Sequence, residues 1–176
     1  MTNSFNKYFF YYLFLLFIFS LIFLIQKHDV GNDSTISEWI INYSGGFTKR
    51  GLIGELCIFL SKLLNLSLRD SILIFQILLI GVYFVLLYNL INNIRTNKIL
   101  ILSILTPIFI LYPVAEIEVL ARKEVFIFCI YLIYFFTNKL PYKNIYKAFL
   151  LILSILIWEP VLFFFSIFFC NRYYWK

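Results

Sequence analysis

An all-α fold, a polytopic transmembrane helical bundle of about five spans plus one interfacial helix in the first outer loop, is what this sequence predicts. Composition is the first reason. Of 176 residues, 62% are apolar and only 14% charged, against about 45–50% and 25% in an ordinary soluble domain. With a mean hydropathy of +0.90, there is too little polar surface to cover a sphere, so apolar faces must meet lipid. The apolar runs are long and do not alternate, which excludes an outer-membrane barrel. Glycine and proline, at 6 and 4, are too scarce for a collagen or a disordered tail.

The first span covers residues 8–25, broken only by Ser20 and reaching about 27 Å as a helix. Gln26, Lys27, His28 and Asp29 follow it. A cleaved signal peptide would have a shorter core and a small-residue cleavage site, so this run reads as an uncleaved helix. Residues 52–64 are apolar but too few to cross, and Glu55, Ser61 and Lys62 interrupt them. They are expected to lie along the membrane as an interfacial or re-entrant helix. Further spans fall at 72–90 and 99–114. The fourth, 119–136, has an apolar core of only about 18 Å, so it must borrow the preceding turn and half-bury Arg122, Lys123 and Glu124. The fifth, 148–170, is long enough but carries Glu159 at its middle, followed by Pro160. All five belong to one domain, residues 1–176.

A net charge of +6 does not point to nucleic acid here, because the basic residues are spread over loops rather than gathered on a face. The short loops set the orientation. Arg95, Lys98, Lys139, Lys143 and Lys147 lie on one side, against Arg122 and Lys123 on the other, and the acids all fall in the outer segments or the last span. The N-terminus, with Lys7, is therefore expected in the cytoplasm. Cys57, Cys129 and Cys170 have apolar neighbours and no CxxC spacing, so they read as buried thiols. His28 is the single histidine, which excludes a multi-histidine metal site, and neither a metal nor another cofactor is expected.

Three stretches can carry chemistry. In the segment from Asn42 to Gly51, Gly45 and Gly46 let the backbone turn with positive φ, and Lys49 and Arg50 add charge beside the N-terminus of the next helix. Together these suit an anion such as a phosphate or diphosphate headgroup. The competing reading is an ordinary turn whose basic residues snorkel to lipid. In the second stretch, Glu118 and Arg122 stand four apart and can pair on a helix, leaving Lys123 partly free; this is either a site or a structural ion pair capping a short span. In the third, Glu159 within Trp158-Glu159-Pro160 is either a buried carboxylate or a residue at a bend in water. Asp29 and Glu38 follow the first span at membrane height, where an acid can serve as general base for a sugar hydroxyl.

Taken in order, Glu38-Trp39, the segment Asn42-Tyr43-Ser44-Gly45-Gly46-Phe47-Thr48-Lys49-Arg50-Gly51-Leu52, Ala121-Arg122-Lys123-Glu124 and Trp158-Glu159-Pro160 resemble a pattern in oligosaccharide-repeat-unit polymerases of the Wzy type, multispanning proteins of bacterial surface-polysaccharide clusters. Ala121 stands where those proteins tend to have glycine, and Trp158 where they tend to have histidine. The chain is shorter than such polymerases, as a truncated or split member would be. The resemblance implies a bacterial inner-membrane protein that moves a glycan from a polyprenyl-diphosphate carrier to a lipid-linked acceptor. Its partners would be membrane lipid, the carrier-linked glycan and other polysaccharide-assembly proteins. It further implies a clamp of Lys49, Arg50, Arg122 and Lys123, a base in Asp29 or Glu38, and Glu159 as a buried partner. Two other readings stay open: a GT-C-type glycosyltransferase using polyprenyl-phosphate sugar, and a non-catalytic membrane protein.

Overall fold

A computed structural model describes residues 2–30, 33–46, 50–93, 120, 122–137 and 141–164, and every regular element among them is a helix. Helix α1 is Thr2–Val30, α2 Asp33–Ile40, α3 Leu52–Leu64, α4 Leu68–Asn93, α5 Glu124–Thr137 and α6 Lys143–Ile157, with a 3-10 helix at Glu159–Phe164.

The two longest helices, α1 and α4, pack antiparallel. Phe10 meets Tyr88 at 5.6 Å and Phe17 meets Phe84 at 5.9 Å between ring centroids, while His28, near the end of α1, lies 3.1 Å from Asp70 in the first turn of α4. Both helices are long and apolar enough to cross a membrane, rising about 43 and 39 Å at 1.5 Å per residue. Less than half of the apolar stretch of either is buried. Phe10, Phe14, Ile18 and Ile22 on α1, with Leu78, Val82 and Val85 on α4, point out of the fold. The apolar face these side chains make is thus left uncovered by the rest of the described residues.

Helix α5 runs parallel to α4. Phe75 stacks on Phe126 at 6.2 Å, and one turn further along Cys129 Sγ lies 3.7 Å from the Leu79 carbonyl oxygen. The start of α5 therefore sits beside the start of α4, at the end of the bundle that α2 and α3 cover; we call this the capped end. Helix α6 returns against α5, with the Lys147 ammonium 4.4 Å from the centre of the Tyr134 ring.

Of the expected spans, the first two are these long helices, and 99–114 lies outside the described residues. The last two are shorter than expected. Helix α5 starts at Glu124 rather than 119, and its 14 residues rise about 21 Å. Arg122 and Lys123 form a bend and a turn ahead of it rather than a further helical turn, and in place of half-burial at a membrane face Lys123 is fully buried within the protein, with Arg122 and Glu124 half-buried. Helix α6 stops at Ile157, and Trp158 is extended, at φ −153° and ψ 105°. Pro160 is the physical reason. It has no N–H for the carbonyl of Leu156, and it restricts the residue before it, so the chain leaves the helix and forms a 3-10 turn instead. Glu159 begins that turn rather than standing in mid-helix.

The helix at 52–64 has the expected bounds and an amphipathic build. Ile53, Gly54 and Cys57 face inward, whereas Leu56, Phe59 and Leu63 are exposed. Asn65 ends it in the left-handed conformation, at φ 51°, and the Leu66 N–H donates to the Ser61 carbonyl at 3.1 Å, which satisfies one of the carbonyls a helix end leaves open. Ser67 then caps α4: its Oγ accepts from the Asp70 N–H at 3.1 Å and donates to Asp70 Oδ2 at 2.6 Å.

Candidate functional site

The capped end is built on two tight contacts. Trp39, in the last turn of α2, is 0% exposed and meets Phe75 of α4 edge to face at 5.9 Å. On α3, a Cβ at Gly54 would stand 1.9 Å from the Ile41 carbonyl oxygen. Backbone thus lies directly on backbone, and only glycine leaves room.

Residues 42–51 connect these contacts. Asn42 Oδ1 accepts from the Ser44 N–H at 2.9 Å and the Ser44 hydroxyl at 2.5 Å, and the Gly46 N–H donates to the Tyr43 carbonyl at 3.0 Å. Gly46 has a φ of 113°, a conformation that disfavours any side chain. The Tyr43 N–H lies 3.5 Å from Glu55 Oε2, which ties the turn to α3. Arg50 is left-handed as well, at φ 65°, a strain of about 1 kcal/mol for a residue with a Cβ.

Lys123 reaches into this structure from the entry of α5. It is 1% exposed, and its Nζ donates to the Glu38 carbonyl oxygen at 3.2 Å. Glu38 is in the last turn of α2, where carbonyls lack intrahelical partners and a cation suits the helix dipole. Lys123 therefore caps α2. Burial holds its ammonium below the ordinary lysine value; the Glu38 carboxylate pulls it up, the Arg50 guanidinium pushes it further down, and Glu124 also pulls it up. Charges from α2, the connecting turn and the start of α5 thus all bear on this one ammonium. Glu38 Oε2 and Glu124 Oε2 are buried with no hydrogen-bond partner.

The structure thus groups Glu38, Arg50 and Lys123 of the sequence-derived candidates, with Gly45 and Gly46 on the exposed turn before Arg50. Lys49 and Glu118 lie outside the described residues. Arg122 is half-buried in a bend, so the helical spacing behind a Glu118–Arg122 pair does not extend to it, and Lys123 is engaged at α2 rather than partly free. Glu159 is half-buried at the head of the 3-10 helix.

Asp29 belongs to a second cluster. Its side chain is 74% exposed and lies 3.6 Å from His28 Nδ1, while His28 Nε2 faces Asp70 and Arg69 donates to the His28 carbonyl. Sequence reasoning passed over Arg69, Asp70 and Gly54. The Ser67-x-x-Asp70 spacing is a helix-start signal, and a glycine inside an apolar helical run marks close packing.

Among the described residues, no three of His, Cys, Asp and Glu gather in a way that could hold a metal ion. Burial pushes the Cys57 thiol up to about 11, so it is a neutral packing group rather than a nucleophile. What the capped end offers is a mixed set: cations in Arg50 and Lys123, and carboxylates in Glu38 and Glu124. No protein-family model, curated protein or solved structure matches this chain.

Proposed function

We propose that the chain is a bacterial inner-membrane protein that handles a polyprenyl-diphosphate-linked glycan at its capped end, in polymerase-like transfer to a lipid-linked acceptor. One observation carries the reading: the buried Lys123 ammonium donates to the Glu38 carbonyl, 85 positions away in the sequence, and the charges of Glu38, Arg50 and Glu124 all bear on it. Next to them α3 exposes Leu56, Phe59 and Leu63, which suits a site at headgroup height. In the transfer, an acceptor hydroxyl gives its proton to a carboxylate as its oxygen attacks the anomeric carbon. The bond from that carbon to the diphosphate breaks, and the electron pair leaves on the diphosphate. Glu38 suits the base better than Asp29, which is exposed and set against His28. Arg50 and Arg122, with Lys49, are the cations suited to the leaving group. Lys123, buried and bonded to Glu38, would contribute its field from behind.

The five-span arrangement with a cytoplasmic N-terminus is the topology we propose. It draws support from α4 and α5 running parallel, since parallel neighbours require the chain to return between them. Reporter fusions after Asp33 and after Asn93 are expected in opposite compartments, and an exported signal after Asn93 would overturn the orientation. Deletion of the gene, followed by gel analysis of surface glycan, tests the activity. Collapse to single repeat units is the expected result, whereas unchanged chain lengths would remove the polymerase reading.

A further inference from the structure

The charges of this molecule are sorted along its length. Asp29, Glu38, Glu55, Asp70 and Glu124 stand at the capped end, on the last turn of α1, on α2 and α3, and on the first turns of α4 and α5, and Glu159 follows α6 where it returns there. The opposite end carries cations alone. Its described parts come from residues 1–28, 71–115 and 125–158, which contain no acid. Lys7 lies on α1 one turn before Phe10, which meets Tyr88 near the end of α4. Lys147 stands over Tyr134 near the end of α5, with Lys143 one turn earlier at the start of α6. Lys7 and Lys143 are exposed and Lys147 is half-buried, so this end presents a positive field that a partner of opposite charge complements.

The side chains around the lysines narrow the kind of partner. Tyr8 and Tyr11 near Lys7, and Tyr142 and Tyr146 near Lys143, are exposed. Beyond them the outward faces are apolar, with Phe14 and Ile18 on α1 and Phe149 and Ile152 on α6. Tyrosines and lysines at one level, followed by hydrocarbon side chains at the next, match the order of a lipid leaflet, headgroup and then tail. A nucleic acid or an acidic protein would meet the charge and leave the apolar strips in water. Resting on the membrane reading in the function proposed above, but not on glycan transfer, we propose that the end opposite the cap binds anionic phospholipids, their headgroup phosphates at Lys7 and Lys143 and their acyl chains along α1 and α6.

The full chain, purified in an uncharged detergent, tests this with fluorescent phosphatidylglycerol and phosphatidylcholine bearing the same acyl chains. Wild-type protein is expected to bind phosphatidylglycerol about tenfold more tightly. Lys7→Gln and Lys143→Gln should each reduce that preference about threefold and together abolish it, while Lys143→Arg keeps it. Lys62→Gln removes an exposed cation of α3 at the capped end, more than a Debye length away, and should change the preference by less than about twofold. Excess inorganic phosphate should not displace the lipid, because the apolar strips give a free ion no hold. Failure to bind either lipid, equal affinity for both, a preference lost with Lys62 rather than with Lys7 and Lys143, or displacement by inorganic phosphate overturns the inference. The glycan chain lengths after gene deletion are read separately, so the proposed transfer stands or falls on its own result.

Discussion

The α1–α4 seam and the capped end hold helices together by different means. Along the seam, rings meet rings over several turns, as in Phe10–Tyr88 and Phe17–Phe84, and the polar contacts gather at one end around His28. At the capped end, short elements meet through backbone contact at Gly54 and a buried ammonium at Lys123. Distributed packing absorbs a single change, because each contact contributes little. Contact concentrated in one carbonyl, or in one charge, does not.

A glycine in each region gives the sharpest contrast. Gly54→Ala drives a Cβ into the Ile41 carbonyl at 1.9 Å and is expected to cost more than about 3 kcal/mol, the upper part of the overpacking range. Gly81→Ala, on α4, puts its Cβ no closer than 3.8 Å to Phe17 and should stabilise by about 0.5–1 kcal/mol through helix propensity. Thermal unfolding in detergent reads both. A well-folded Gly54→Ala protein would mean that the two regions pack alike.

Lys123→Met should come next, costing about 3 kcal/mol, because it leaves the α2 carbonyl uncapped and the neighbouring carboxylates without their cation. The same variant tests a pH effect. Since burial lowers the value of Lys123 in the fold, the unfolded chain holds more protons between that lowered value and about 10.4, so this residue's contribution makes stability rise with pH through the window. The rise is read as the wild-type minus Lys123→Met difference in melting temperature, and a flat or falling difference would contradict it. The smallest effect belongs to the seam. A double-mutant cycle on His28→Ala and Asp70→Ala should give a coupling below about 1 kcal/mol, because both side chains are partly exposed. A larger coupling would make that cluster as concentrated a contact as the capped end.

Sequence reading reached the parts of this molecule that are local. Runs of apolar residues mark α1, α3 and α4 because a helix that buries or presents an apolar face must keep that chemistry over its length. The shortness of the apolar run behind Lys123 pointed to half-burial at a membrane face, whereas the residue is buried within the protein. Its partner was not legible, since Glu38 lies 85 positions away and no helical spacing links them. The break at Trp158 was one of the two readings that Pro160 left open, since hydropathy continues through the proline although the hydrogen-bond ladder does not. The Gly-Gly turn was legible as a turn. That Glu38, rather than Asp29, would share a field with Arg50 depended on how α2 docks, which only packing decides.

The shared direction of α4 and α5 also bears on how the chain is made. Helices α1 and α4 are antiparallel, so they can pair as soon as α4 has emerged, and their ring contacts need nothing synthesised later. Helix α5 begins roughly 30 residues after α4 ends, and that whole stretch must be made before Phe126 can stack on Phe75. Until then the α5-facing side of α4 is uncovered, and the Glu38 carbonyl waits without Lys123. Assembly of the capped end is therefore a late event in biogenesis, and a nascent chain halted once α4 has left the ribosome, but before α5 has, would display the seam already formed and the cap still open.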